Sequence, residues 1–204
     1  MDYIEYKYLQ LCKSQSDINE HLPTLKKYAE QCESVLETGV RGCVSSWALC
    51  YGLLQNKGNK YMLMNDIYPC NIEEILNSVN NIDSLNIEYK WCNNLTLDLD
   101  RDFDMVFIDT WHVYGQLKRE LEKFAPRTKK WIIMHDTTID EFTGESIREG
   151  HDIGQIMEKT GFTRDEVEKG LKYAIDDFLQ SNLNWCICEK FTNNNGLTIL
   201  ERLF

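Results

Sequence analysis

Residues 34–42 read S-V-L-E-T-G-V-R-G, a compact apolar run that ends in an acid followed by two glycines three apart. Behind it, Ser45 to Leu54 meets no helix breaker until Gly52, and Gly58 marks the next turn. The pattern predicts a strand, a tight loop and a helix. The alternation continues outward. K-Y-M-L-M-N-D (60–66) reads as a strand and N-I-E-E-I-L-N-S-V (71–79) as a helix. I-E-Y-K-W-C (87–92) and D-M-V-F-I-D (104–109) read as strands, V-Y-G-Q-L-K-R-E-L-E-K-F (113–124) as a helix, and W-I-I-M-H-D (131–136) as a strand. Such alternation predicts an α/β fold, a doubly wound parallel sheet covered by helices on both faces.

The flanks complete this unit. Ile4, Tyr8, Leu9 and Cys12, then Ile18, Leu22, Leu25 and Tyr28, give two short helices over 1–30, separated by the polar K-S-Q-S-D. Residues 137–170 are polar and glycine-punctuated, longer than an ordinary connection, and read as an insertion or lid. R-D-E-V-E-K-G-L-K-Y-A-I-D-D-F-L-Q (164–180) then reads as one amphipathic helix with Val167, Leu171, Ile175 and Phe178 on one stripe. N-W-C-I-C-E-K-F and G-L-T-I-L-E-R-L-F, joined through T-N-N-N-G, predict a closing antiparallel hairpin. No linker or repeat divides the chain, so 1–204 is expected to be a single domain.

Composition sets bounds on function. The chain has 204 residues, 43% hydrophobic and 27% charged, with three prolines and eleven glycines, as an ordinary globular domain does. Its 22 basic and 33 acidic side chains give a net charge of −11, which repels phosphate backbones and anionic membranes. Nucleic acid and membrane partners are therefore not expected, and the cluster Arg127, Lys129 and Lys130 reads as a solvated helix end. The acidic, aromatic N-terminus is unlike a secretion signal, so a cytoplasmic location is expected. Eight cysteines without a CxxC pair read as free, mostly buried thiols, with Cys186 and Cys188 facing the same side of a strand.

In an open α/β sheet, ligands gather at the carboxyl ends of the strands. Here Glu37, Gly39, Arg41 and Gly42 follow the first strand, where glycines admit a ligand to the backbone. Asp66 ends the second strand, positioned to accept hydrogen bonds from a ribose diol. Asp109-Thr110-Trp111-His112 follows the fourth strand, and His135-Asp136 the fifth. Titratable groups at adjacent strand ends build a cleft suited to proton transfer. His21 and His151 lack such company and read as surface residues. The spacing G-x-x-G-x-x-S departs from the GxGxxG of dinucleotide-binding folds, which disfavours an oxidoreductase using NAD or a nucleotide sugar.

These motifs resemble the class I S-adenosylmethionine-dependent methyltransferases. V-L-E-T-G-V-R-G is similar to their first motif and M-N-D-I to their second. F-D-M-V-F-I-D-T-W-H-V-Y with W-I-I-M-H-D-T-T resembles a branch of small O-methyltransferases that includes cephalosporin-hydroxylase-like and macrolide-sugar O-methyltransferases. The general wording is also similar to glycan methyltransferases of large DNA viruses, which would place the protein in a host cytoplasm. The resemblance implies a Rossmann-like seven-stranded sheet of order 3-2-1-4-5-7-6 with the last strand antiparallel. It implies S-adenosyl-L-methionine bound by Glu37, Gly39, Arg41, Gly42, Asp66, Asn93, Asn94 and Asp109, and catalysis by His112, Asp109 and Asp136. His112 would be the general base, neutral at pH 7, taking the proton of a hydroxyl.

The branch's metal-dependent members end the fifth strand in two acidic or amide residues, and this chain has His135-Asp136. Asp109 and Asp136 remain the implied ligands for Mg²⁺, with His135 an odd partner for so hard an ion. A sugar or glycan acceptor is expected, with Trp111, Tyr114 and Tyr68 available for stacking and Glu145, Arg148 and Asp152 for hydroxyls, whereas Trp47 reads as core. A cofactor-binding module without activity is the remaining alternative, and a homo-oligomer is left open.

Overall fold

The computed structural model describes residues 2–204. Seven strands form one sheet: β1 (Ser34–Thr38), β2 (Lys60–Asp66), β3 (Leu85–Trp91), β4 (Phe103–Ile108), β5 (Thr128–His135), β6 (Trp185–Phe191) and β7 (Leu197–Arg202). Their spatial order is β3-β2-β1-β4-β5-β7-β6. β1 pairs in parallel with β2 and β4, β2 with β3, and β4 with β5, while β7 runs antiparallel to both β5 and β6. This is the α/β, Rossmann-like order expected from the sequence.

The helices are α1 (Asp2–Lys13), α2 (Leu22–Ala29), α3 (Val44–Gln55), α4 (Glu73–Val79), α5 (Tyr114–Phe124), α6 (Glu145–Arg148), α7 (Ile153–Thr160), α8 (Arg164–Glu168) and α9 (Leu171–Ser181). Alternate residues of each strand feed opposite layers. Val35, Met64, Met105, Phe107 and Ile133 pack with α1, α2, α3 and α4, and Trp47 is buried in that layer as core. Leu36, Leu63, Val106, Ile132 and Met134 pack with α5 and α9. The central strands β1, β2 and β4 are buried along their whole length, in keeping with the apolar runs at their centres, and their polar residues fall mostly near the strand ends. None of the helices among the described residues is long and apolar enough to cross a membrane.

Two expectations are corrected here. The helix over 164–180 is two helices, α8 and α9, broken at Lys169-Gly170. The backbone there is taken by neighbours: Tyr114 N donates to Lys169 O (2.8 Å), and Gly170 N donates to Phe142 O (3.1 Å). A Cβ on Gly170 would come within 2.3 Å of Asp140 O, so only glycine admits so close a strand of chain. Second, the eight cysteines are free, but only Cys32, Cys43 and Cys50 are buried. Cys186 and Cys188 lie on the edge strand β6, which covers little, and its register shifts between Ile187 and Glu189.

The basic cluster lies at the edge where β4 and β5 begin, opposite the strand ends discussed below. Arg127 pairs with Asp102 (3.1 Å), and Lys130 donates to Gln31 O (2.6 Å), so its charges are spent locally.

Candidate active site

The loop after β1 is shaped by backbone conformation. Gly39, Arg41 and Cys43 take φ values of 89°, 42° and 60°, all left-handed. A Cβ on Gly39 would lie 1.7 Å from the carbonyl oxygen of Asp109, so glycine alone lets this loop lie against the end of β4. Asp66 is tied to the same loop: one carboxylate oxygen accepts from Arg41 N (2.9 Å), the other from Tyr68 N (2.8 Å). Beside Gly42 the space is open. The Arg41 guanidinium is exposed and pairs with Asp17 (2.5 Å).

Glu37 and Asn94 are buried and engaged by the protein's own side chains. Glu37 is wholly buried, and its two oxygens accept from Ser45 Oγ (2.5 Å) and Ser46 Oγ (2.7 Å). It braces the start of α3, and burial pushes its carboxyl up to about 7. Asn93 stays at the surface and caps the short turn 94–96 by accepting from Leu95 N (2.9 Å). Asn94 turns inward, where its amide donates to Glu120 and accepts from Gln116 Nε2 (3.1 Å).

The strand ends bring Asp109, His112 and Asp136 together. His112 Nε2 lies 3.4 Å from Asp109 Oδ1, and Nδ1 lies 3.1 Å from Asp136 Oδ2. Two acids from the 137–170 segment join them: Asp140 Oδ2 at 3.4 Å and Glu145 Oε2 at 3.5 Å from Nδ1. Burial works against a charged ring, but this ring of carboxylates outweighs it and holds the imidazole well above its ordinary value. This setting favours the protonated ring over the neutral one expected from the sequence. Burial raises Asp136, whereas Asp109, with the imidazoles of His112 and His135 close by, is held well below the carboxylate range despite its burial. Asp140 is also lowered against the effect of burial, by His112 and by Arg148, whose Nε donates to it at 2.7 Å.

His135 completes the cluster from behind. Its Nδ1 faces Asp109 Oδ1 (3.3 Å) and its Nε2 faces Asn194 O (3.1 Å). His21, expected at the surface, is buried at 1% exposure: its Nε2 meets Asn193 O (2.9 Å) and its ring stands edge-on to His135 at 5.7 Å. The residues 137–170 dock as a wall. His112 N donates to Glu145 Oε2 (3.1 Å) while Glu145 N donates to His112 O (2.9 Å). Trp111 stacks on Phe162 (5.7 Å) and donates to Ser146 Oγ (3.0 Å). Tyr114 turns toward α9, donating to Asp177 (2.8 Å), and Asp152 caps α7 by accepting from Gln155 N. Tyr68 is exposed.

Sequence reasoning missed Asp140, Asn194 and Glu120. Asp140 lies four residues past Asp136, a spacing that could have flagged it.

The donor set fits a divalent cation. One ligand atom each from Asp109, His112 and Asp136 lies within 4.8 Å of the others, and Asp136 Oδ1 and both His112 nitrogens are buried without a hydrogen-bond partner. The carboxylates suit Mg²⁺, and the imidazole suits a softer ion better.

No protein-family model matches the sequence, and no curated protein matches it. Solved structures do. The cofactor-bound Rv0187 from MTB superposes with a TM-score of 0.59 at 15% identity, over 100% of this chain and 91% of that one. The O-methyltransferase from Bacillus cereus in complex with SAH gives 0.58 at 12%, over 99% and 91%. The N-methyltransferase NodS from Bradyrhizobium japonicum WM9, in complex with S-adenosyl-L-homocysteine, gives 0.57 at 12%, over 98% and 97%. At these identities the likeness is one of fold: the chain shares its seven-stranded architecture with these proteins.

Proposed function

We propose that the protein is an S-adenosylmethionine-dependent O-methyltransferase that methylates a hydroxyl of a sugar or glycan, with His112 taking the hydroxyl proton. One observation carries the reading: the Gly39 loop, Asp66, Asp109 and the His112 ring converge at one edge of the sheet, the loop locked against the residue that ends β4. The neighbours' bound SAH supports the cofactor class, and both O- and N-methyltransferases share the fold, so the acceptor must be argued from the site.

The cofactor supplies an activated methyl group on a positive sulfur. Asp66 presents two carboxylate oxygens with spare lone pairs, suited to a ribose diol. Gly39 and Gly42 leave the backbone approachable, Arg41 and Asn93 stand at the rim, and Glu37 keeps the loop rigid from below. With the cofactor bound, the protein's part would be to align the acceptor hydroxyl with the methyl group and, through His112, to take the proton that the hydroxyl loses. The carboxylates around the ring favour its protonated form, and a second positive charge sharing them would favour the neutral form that can accept a proton. A divalent cation held by Asp109 and Asp136 would supply Lewis acidity at the acceptor oxygen.

The acidic mouth supports a hydroxyl-rich acceptor. Asp136 and Glu145 accept hydrogen bonds, and the half-buried Trp111 offers an apolar face beside them. The test is isothermal titration with S-adenosyl-L-homocysteine, followed by transfer of labelled methyl from S-adenosylmethionine to a glycan library with and without EDTA. Absence of cofactor binding overturns the reading; binding with transfer only to amines overturns its acceptor.

A further inference from the structure

Glu120, on α5, is buried at 1% exposure and has no part in the scheme above. Its carboxylate is used unevenly. Oε1 collects three donors: Thr110 Oγ1 (2.5 Å), Gln116 Nε2 (2.8 Å) and Asn94 Nδ2. Oε2 has none. A buried acceptor without a donor is rare unless a water reaches it.

Room for one exists. A cavity of about 10 Å³ is lined by Glu120, Thr110, His112 and His135, with Ile108 and Met134 among its apolar walls. That volume is about one water, and although the lining is mostly apolar, Glu120, Thr110, His112 and His135 bring polar groups to it. Neither ring nitrogen of His112 has an aligned hydrogen bond, although carboxylates surround it. Besides Glu120, the titratable groups lining the cavity are the two histidines, from the loop after β4 and from β5. Burial raises the Glu120 carboxyl, against the donors on Oε1 and the nearby His112.

We propose that Glu120 is a positioning residue that holds the His112 ring through one water bound in this cavity. The water donates to Glu120 Oε2 and accepts from the ring, so His112 is fixed from behind while Asp109 and Asp136 hold it in front. The knot on Oε1 keeps Glu120 in place and ties the turn after β3 to the loop that carries Asp109 and His112. The proposal rests on the reading of His112 as the proton acceptor, but the water link can be tested without turnover.

Glu120→Gln is the discriminating variant. Its carbonyl still accepts the three donors, while its N–H faces the cavity and can no longer accept from a water there. Gln116→Ala is the control: it removes one donor from the same knot without touching Oε2. High-resolution diffraction of the wild type should show one water between Glu120 and the His112 ring. The ring ¹⁵N shifts of His112 should move in Glu120→Gln and stay in place in Gln116→Ala. Turnover of Glu120→Gln should fall about tenfold or more with KM for cofactor and acceptor unchanged. A dry cavity, or His112 signals that ignore Glu120→Gln, overturns the proposal. A wild type that binds no S-adenosyl-L-homocysteine overturns the functional reading instead, and the diffraction and ring shifts still decide the water link.

Discussion

His135 places Nδ1 3.3 Å from Oδ1 of Asp109, while its other nitrogen lies 3.1 Å from the carbonyl oxygen of Asn194. Both ring nitrogens face acceptors, a setting that favours the protonated ring and so a buried cation beside a buried anion. His135→Ala would leave Asp109 without that partner. Breaking such a pair from one side costs roughly 3–5 kcal/mol. Urea unfolding should show the midpoint falling with its slope unchanged; an unaltered midpoint would mean that the pair contributes nothing.

Asp66→Ala removes both the oxygens offered to a ribose and the bond that holds Arg41 N. Loss of two charge-assisted hydrogen bonds should weaken S-adenosyl-L-homocysteine by about 100-fold or more. Isothermal titration measures it, and retained affinity would move the ribose elsewhere.

His112→Ala should separate binding from chemistry. The Gly39 loop and Asp66 remain, so cofactor affinity persists, while turnover drops by about 10²- to 10⁴-fold, the usual worth of a general base. Comparable turnover in the variant would leave the proton with another acceptor.

Much of this centre was legible in the sequence, and the reasons are local. Asp66, Asp109, His112 and Asp136 each stand at or just past the end of a strand whose apolar wording is unmistakable. What escaped depends on distant chain. The partner of His135 lies 59 residues away at Asn194, and the burial of His21 depends on Asn193, 172 residues on. The break between α8 and α9 was hidden because Val167, Leu171, Ile175 and Phe178 are all buried, so the helical period runs straight across it. Glu120 reads as one more charge on an amphipathic helix until Thr110 and Asn94 are seen to meet it.

Glu37 gives the stability a pH dependence of known sign. Burial raises its carboxyl from 4.5 to about 7, so the folded protein holds a proton that the unfolded chain has released. The associated stability is fully present below pH 4.5 and is lost as pH rises to about 7. Over that window the wild type should lose roughly 3 kcal/mol relative to Glu37→Gln, in which this site does not titrate. Denaturation series for both proteins across the window check it, and parallel curves would contradict the buried acid.

The turn between β6 and β7 hands its Asn193 and Asn194 carbonyl oxygens to His21 and His135, and β7 itself slots between β5 and β6. The centre therefore depends on a segment far along the chain from the strand ends that carry it: without residues 193–202, Asp109 would stand beside a histidine with nothing at its back, and cutting or displacing this hairpin would undo the pair from a distance.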